Sequence, residues 1–269
     1  MNFMEKDFQS QYYQTIKLAE GIYAFIDTYD RKAGSNSGLV DLGDRVIVFD
    51  TFYNPNAARD LRKATELLSS GRPITVVNSH NHIDHIRGNQ FFSDCMIISS
   101  EASRSTMKDS IEATIDEVTA IPASEIETMR KEYLNETDEL KKSAISPILR
   151  CFDNLTKEPM MITLPDLAIK DHIVIHGEGR TAELYPFEIG HSPGDTMMFI
   201  PEENILFTGD LVFIEVHPWL GDGDCIKLKE ICGFIKGLNA KHIIPGHGPA
   251  GDNNSVDSLI NYIEHMQKT

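Results

Sequence analysis

Apolar positions recur in two rhythms along this chain. Short runs rich in Ile, Val, Leu and Phe predict strands at Ile16–Ile26 (with Gly21 inside), Gly38–Leu42 and Arg45–Asp50. The Gly43-Asp44 step between the last two is a hairpin signal. Asn54-Pro55-Asn56 then opens a helix to about Leu68, with Ala57, Leu61, Ala64 and Leu68 on one stripe. Gly71-Arg72-Pro73 closes it ahead of the strand Ile74–Val77. The second half repeats the theme. Strands are predicted near His172–Ile175, Ala182–Ile189, Thr196–Pro201 and Ile205–Thr208, then a helix near Lys227–Leu238. A short strand leads to His247, and a terminal helix covers about Ser255–Met266.

Two similar halves of mixed strands and helices fit two sheets packed face to face with helices outside. Residues from about Glu101 to Leu155 depart from that theme. Ile111, Ile115 and Val118 fall at helical spacing, and Pro122-Ala123-Ser124-Glu125 starts a fresh helix toward Ile126, Met129, Tyr133 and Leu134. Pro147 is expected to interrupt the continuation. This helical insertion reads equally as a hairpin packed on the sandwich, a lid, or a homodimer surface. At 269 residues the chain is expected to be one domain, 1–269, carrying that insertion at about 101–155.

Chemistry concentrates directly after Ile74-Thr75-Val76-Val77. His80-Asn81-His82-Ile83-Asp84-His85 places three imidazoles and a carboxylate in six positions. Alternation along an extended backbone would send His80, His82 and Asp84 to one side, with His85 turning in beside them. Neutral imidazole and carboxylate suit zinc, and also iron or manganese. More candidate ligands follow short apolar runs. His191 lies in Ile189-Gly190-His191-Ser192-Pro193-Gly194-Asp195, Asp210 ends Ile205-Leu206-Phe207-Thr208-Gly209-Asp210, and His247 sits in Ile243-Ile244-Pro245-Gly246-His247-Gly248. Singly, each reads as a loop histidine or a capping aspartate; their repeated strand-to-loop placement favours one shared site.

These motifs resemble the metallo-β-lactamase superfamily, and the likeness spans nearly the whole chain. It includes Asp50, closing Val46-Ile47-Val48-Phe49-Asp50-Thr51, at the family's early strand-end aspartate. The resemblance implies an αββα sandwich with metals at the edge where strand-end loops converge. It implies that His80, His82 and His191 hold one ion, Asp84, His85 and His247 a second, and that Asp210 bridges the two. Two zinc ions, with iron or manganese as alternatives, would share a hydroxide generated at neutral pH. That hydroxide would attack a carbonyl, and a metal-bound water or Asp84 would return a proton to the leaving group. Asp50 would orient an imidazole by accepting its other N–H.

Charge and composition narrow the substrate. Hydrophobic residues make up 41% and charged residues 25%, as in an ordinary globular protein. The net charge of −16 opposes a nucleic-acid partner, so ribonuclease Z, which has a similar histidine motif, is a poor model. Cys95, Cys151, Cys225 and Cys232 lack zinc-ribbon spacing and read as reduced thiols. Met1–Phe8 carries no export signal and no run is long enough to span a membrane, so a cytoplasmic location is expected.

Within the resembled family, Asp210 stands where secreted zinc β-lactamases commonly carry Cys or Ser, which leaves β-lactam cleavage as a side activity. Only 22 residues follow His247, too few for the helical domain with which glyoxalase II binds glutathione. Quorum-sensing lactonases remain compatible. The leading expectation is therefore a dinuclear hydrolase of a small-molecule ester, thioester or lactone. Alternatives are a mononuclear iron persulfide dioxygenase on the same frame and a non-catalytic metal-binding sensor. Val216-His217-Pro218-Trp219-Leu220-Gly221-Asp222-Gly223-Asp224 holds the single Trp, and His217 and Trp219 either line the pocket or anchor the loop. Tyr185, Tyr133 and His176 are weaker candidates; His172, His242 and His265 read as structural.

Overall fold

The continuous apolar runs of the amino-terminal strands fit strands buried on both faces, as they are in a computed structural model of the chain. It describes residues 8–28, 32–158 and 160–267; residues 1–7, the bulk of the stretch read for export signals, lie outside that set. β1 (Gln14–Ala19) and β2 (Ile22–Ile26) form a hairpin about Gly21, whose φ of 72° lies in the region glycine tolerates best. β3 (Ser37–Asp41) and β4 (Val46–Phe49) continue the antiparallel pairing. α1 (Pro55–Ser69) is capped by the Asn54 side chain, which accepts from Asn56 N–H, and Pro55 occupies the first turn. It buries Ala57, Leu61, Ala64 and Leu68, the predicted stripe.

β5 (Ile74–Val77), β6 (Met96–Ser100) and β7 (Leu167–Ile169) then extend the sheet in parallel. The seven-stranded order is β1-β2-β3-β4-β5-β6-β7. The second sheet holds β8 (Ile173–His176), β9 (Thr181–Pro186), β10 (Thr196–Ile200), β11 (Ile205–Phe213) and β12 (His242–His247). Its five-stranded order is β12-β11-β10-β9-β8, with β11 and β12 parallel. Two expectations change here. The predicted strand Ala182–Ile189 ends at Pro186, and the predicted Ile205–Thr208 runs on to Phe213.

Ile22, Ala24, Ile26, Ile47 and Phe49 face the second sheet and meet Leu184, Met198, Ile205 and Phe207. The intervening Tyr23, Phe25, Val46 and Val48 face outward and are covered by α1. Across the molecule, α6 (Cys225–Leu238) and α7 (Asn253–Met266) cover Met197, Leu206 and Leu211 of the second sheet. The layers are thus αββα.

The insertion is three helices, α3 (Glu101–Thr119), α4 (Ala123–Asn135) and α5 (Glu139–Lys157). α5 runs unbroken across position 147, correcting the expected interruption. A proline removes one backbone hydrogen bond and bends a helix, and neighbouring turns hold it when the flanks are helical. Met107 and Ile111 of α3 pack on Ile86. Arg87, fully buried, donates to the carbonyl of Glu158 at 2.6 Å and lies 5.0 Å from the Tyr53 ring. Tyr53 in turn donates to the Cys151 carbonyl at 2.9 Å. The insertion is therefore fastened to the sandwich beside the histidine run. No described helix is long and apolar enough to cross a membrane.

Sheet-to-sheet spacing rests on Gly38, where an added Cβ would lie 2.4 Å from the Phe207 ring. Gly38→Ala is expected to lower unfolding free energy by about 1–3 kcal/mol, the usual range for an overpacked core. Phe207→Leu in the same chain should recover part of that loss, read as non-additivity in urea melts. Full additivity would locate the strain elsewhere.

Candidate metal centre

The strand ends at one edge of the sandwich converge on seven side chains that could ligate a metal ion. Beyond β5 the chain bends at Ser79 and Asn81, and His82 is the N-cap residue of the single helical turn α2 (Ile83–Ile86). That turn corrects the expected alternation: Asp84 and His85 leave the extended path and point to a second cluster. His191 comes from the β9–β10 loop, pinned by a bridge between Ile189 and Pro193. Asp210 lies inside β11, where the pairing with β12 shifts register, rather than in a loop after it. His247 is the last residue of β12.

Two groups result. Ligand atoms of His80, His82, His191 and Asp210 all lie within 4.8 Å of one another, as do those of Asp84, His85 and His247. Asp210 faces both: Oδ2 is 3.3 Å from His191 Nε2, 3.8 Å from His80 Nε2 and 3.5 Å from His247 Nε2, while Oδ1 is 3.3 Å from His85 Nε2. His247 Nε2 is also 3.1 Å from Asp84 Oδ2. Gly246 keeps this pocket open, since a Cβ there would lie 1.9 Å from Asp210 Oδ1.

Tautomers follow from the partners behind each ring. Asp50 is buried with φ 59°, a left-handed conformation that costs energy for a residue with a side chain. Its carboxylate accepts from Ser79 N–H at 2.7 Å, Ser79 Oγ–H at 2.7 Å and His85 Nδ1–H at 2.8 Å. With the Ser79 proton spent on Asp50, Ser79 Oγ accepts from His80 Nδ1–H at 2.9 Å. His80 therefore presents an unprotonated Nε2 to the centre, while the Nδ1–H bond to Asp50 turns His85 Nε2 toward Asp210 Oδ1 at 3.3 Å. His82 donates Nε2–H to Asp222 Oδ2 at 3.0 Å and turns Nδ1 toward His191 Nε2 at 3.1 Å.

His80 Nε2 and Asp210 Oδ1 are buried without a hydrogen-bond partner. Burial holds His80 well below the usual imidazole range and brings His191 down to about 4, so both rings are neutral at pH 7. In the other half, burial opposes charge, but the carboxylates of Asp210 and Asp84 outweigh it and raise His85 and His247. The same imidazoles hold Asp84 and Asp210 below the usual carboxylate range against the effect of burial. Converging lone pairs and two carboxylates in a buried cup fit one or two divalent cations, which neutral nitrogen and anionic oxygen donors suit.

Residues 31–94 and 110–247 match the family model described as the metallo-beta-lactamase superfamily. The chain belongs to the metallo-beta-lactamase superfamily. A Caenorhabditis elegans beta-lactamase-like protein 2 homolog is 31% identical over 106 residues, 37% of this chain and 32% of the worm protein. The chain thus matches about a third of that relative's length. The Gallus gallus acyl-coenzyme A thioesterase MBLAC2 is 26% identical over 244 residues, 86% of this chain and 78% of the chicken protein. The metallo-beta-lactamase from Pontibacter korlensis shares the fold with a TM-score of 0.63 at 16% identity, over 94% of this chain and 99% of that one. VMB-1 does so with a TM-score of 0.66 at 15% identity, over 96% and 100%.

Other sequence candidates fall away from this superfamily's metal edge or sit beside it. Trp219 is 62% exposed and donates to Asp222 Oδ2 at 3.1 Å, one carboxylate away from His82. His217 lies 3.3 Å from the Tyr262 hydroxyl on α7. Tyr185 stacks on His172 at 4.3 Å in the second sheet, Tyr133 is half-buried on α4, and His176 is exposed at the end of β8. His242 and His265 lie on β12 and α7. Sequence reasoning missed Ser79 and Asp222. Adjacency to His80 was the available signal for Ser79, whereas nothing in its local pattern separates Asp222 from a loop aspartate.

Asp50→Ala removes the acceptor for three buried donors, each of which then bears a desolvation cost of about 1–3 kcal/mol if left unmade. The variant should lose about 3 kcal/mol or more of unfolding free energy in urea. A loss under about 0.5 kcal/mol, the level of an indifferent surface change, would remove Asp50 from this role.

Proposed function

We propose that this chain is a dinuclear metal-dependent hydrolase that cleaves a small-molecule thioester, ester or lactone, with zinc as its resident ion. The observation that carries the reading is the division of the ligating atoms into two groups with Asp210 facing both. His80, His82 and His191 would hold one ion, Asp84, His85 and His247 the other, and Asp210 would reach each. Two bound divalent ions would supply a nucleophile from water at neutral pH and a Lewis acid for a carbonyl oxygen.

The protein's own share is arrangement. Asp50 and Ser79 fix which nitrogens of His80 and His85 face inward, and the fully buried rings exclude bulk water from the floor of the cup. Asp84, more exposed than Asp210, is the carboxylate placed to pass a proton to a leaving group at the mouth. A thioester stands first among substrates because the chicken relative named as a thioesterase aligns over 86% of this chain. The complete second group favours this reading over a mononuclear iron dioxygenase, which would need only one ion. Four cysteines, none in a disulfide among the described residues, fit a reducing, cytoplasmic setting.

Metal analysis of protein purified without added metal should find two zinc ions per chain, and a panel of thioesters, esters and lactones should show turnover. A single iron with no hydrolysis would overturn the proposal in favour of oxygen chemistry on the same frame. Asp210→Ala should lose second-ion occupancy and hydrolysis together, by more than the roughly 10–100-fold that loss of an outer partner costs. Two ions and full activity in that variant would remove the shared-ligand role.

A further inference from the structure

The loop between β11 and α6 is fixed at its carboxyl-terminal end. Gly223 lies so close to the His191 loop that a Cβ there would approach the carbonyls of Gly190 and His191 to 2.2 and 2.3 Å. Asp224 N–H donates to the Gly190 carbonyl at 2.9 Å, and its side chain caps α6 by accepting from Ile226 and Lys227 N–H. Asp222 is therefore held beside the metal edge by a backbone anchored at the two residues that follow it. A single atom, Asp222 Oδ2, accepts from His82 Nε2–H at 3.0 Å and from Trp219 Nε1–H at 3.1 Å. The Trp219 ring lies against Gly221, where a Cβ would meet it at 2.7 Å.

We propose that Asp222 is the positioning residue for His82, and that through the shared oxygen it couples occupancy of the His80–His82–His191 group to Trp219. The inference rests on the metal-centre reading above. A carboxylate on Nε2–H holds the ring in the tautomer whose Nδ1 lone pair faces the centre and makes that nitrogen a better donor. Charge drawn from Nδ1 by a cation makes Nε2–H a stronger donor and strengthens its bond to Asp222. The indole N–H competes for the same oxygen, so its own bond weakens as the histidine's strengthens. Since Trp219 is the single tryptophan, the exchange has an unambiguous optical signal.

The test titrates metal-free protein with Zn2+ while following tryptophan emission and, by chelator competition, affinity. Parallel titrations with Co2+ follow its visible absorption. The parent chain should show a saturable emission change that tracks filling of the first site. Asp222→Ala should weaken that site by roughly 10–100-fold, shift the Co2+ bands and uncouple emission from metal. Asp222→Asn, which keeps a neutral acceptor, should fall between the two. Trp219→Phe should abolish the signal and, because coupling is reciprocal, leave zinc affinity at or above the parental value. Asp222 is 53% exposed on its side chain, so metal-free variants should unfold as the parent does. Parental zinc affinity and Co2+ bands in Asp222→Ala would overturn this inference alone. A parent chain that takes up no metal would overturn it together with the hydrolase reading.

Discussion

Everything at the metal edge depends on one buried carboxylate with more donors than it can release. Asp50 sits at the end of β4 in a left-handed backbone conformation, which its own N–H to the Val77 carbonyl and its carbonyl to Ser37 Oγ–H hold in place. Its oxygens bind the Ser79 backbone, the Ser79 hydroxyl and His85. Because Ser79 has only one proton to give, His80 must hand its Nδ1 proton to the same hydroxyl. One acceptor thus fixes the His85 ring directly and, through Ser79, the tautomer of His80. Backbone strain at Asp50 is tolerable because five hydrogen bonds over-determine it.

The remaining geometry follows from where the sheets end. Parallel β4 and β5 deliver Asp50 and the histidine run on the same side, and parallel β11 and β12 deliver Asp210 and His247 opposite them. A regular β11–β12 ladder would leave the Asp210 side chain to the alternation of its strand. The register shifts on either side of Gly209 let it turn toward both imidazole groups. Gly209 also allows the close approach of Ser79, whose Cβ would lie 2.4 Å from an added one. The two sheets are therefore locked together at the centre by backbone proximity as well as by ligands.

Much of this was legible in the residues. The stripe Ala57, Leu61, Ala64 and Leu68 is periodic and β2 and β4 are continuous apolar runs, and both signals survive folding because burial enforces them. The ligating residues stood out by type and by their repeated placement after apolar runs. Illegible features were those set by distant partners. β6 has only Met96, Ile97 and Ile98 as an apolar signal, and β7 owes its place to pairing with β6. α5 continues through position 147 against local propensity. Asp222 carries no pattern of its own; its proximity to His82 depends on how the loop lies against Gly190 and His191.

Charge bears on which acyl compound suits the centre. With a net charge of −16, the protein's field opposes approach of a phosphate-bearing carrier unless local cations offset it. The arginines that meet the insertion are already committed: Arg59 pairs with Glu158 and Arg130 with Asp153, while Arg87 is buried against Tyr53 and the Glu158 carbonyl. A carrier with several phosphates would have to break such pairs or find lysines that the field leaves free. A neutral acyl ester, lactone or uncharged thioester meets no such barrier, and its product carboxylate would be expelled by the same field. A coenzyme A thioester, the substrate class in the chicken relative's name, would therefore need local cations to offset that field.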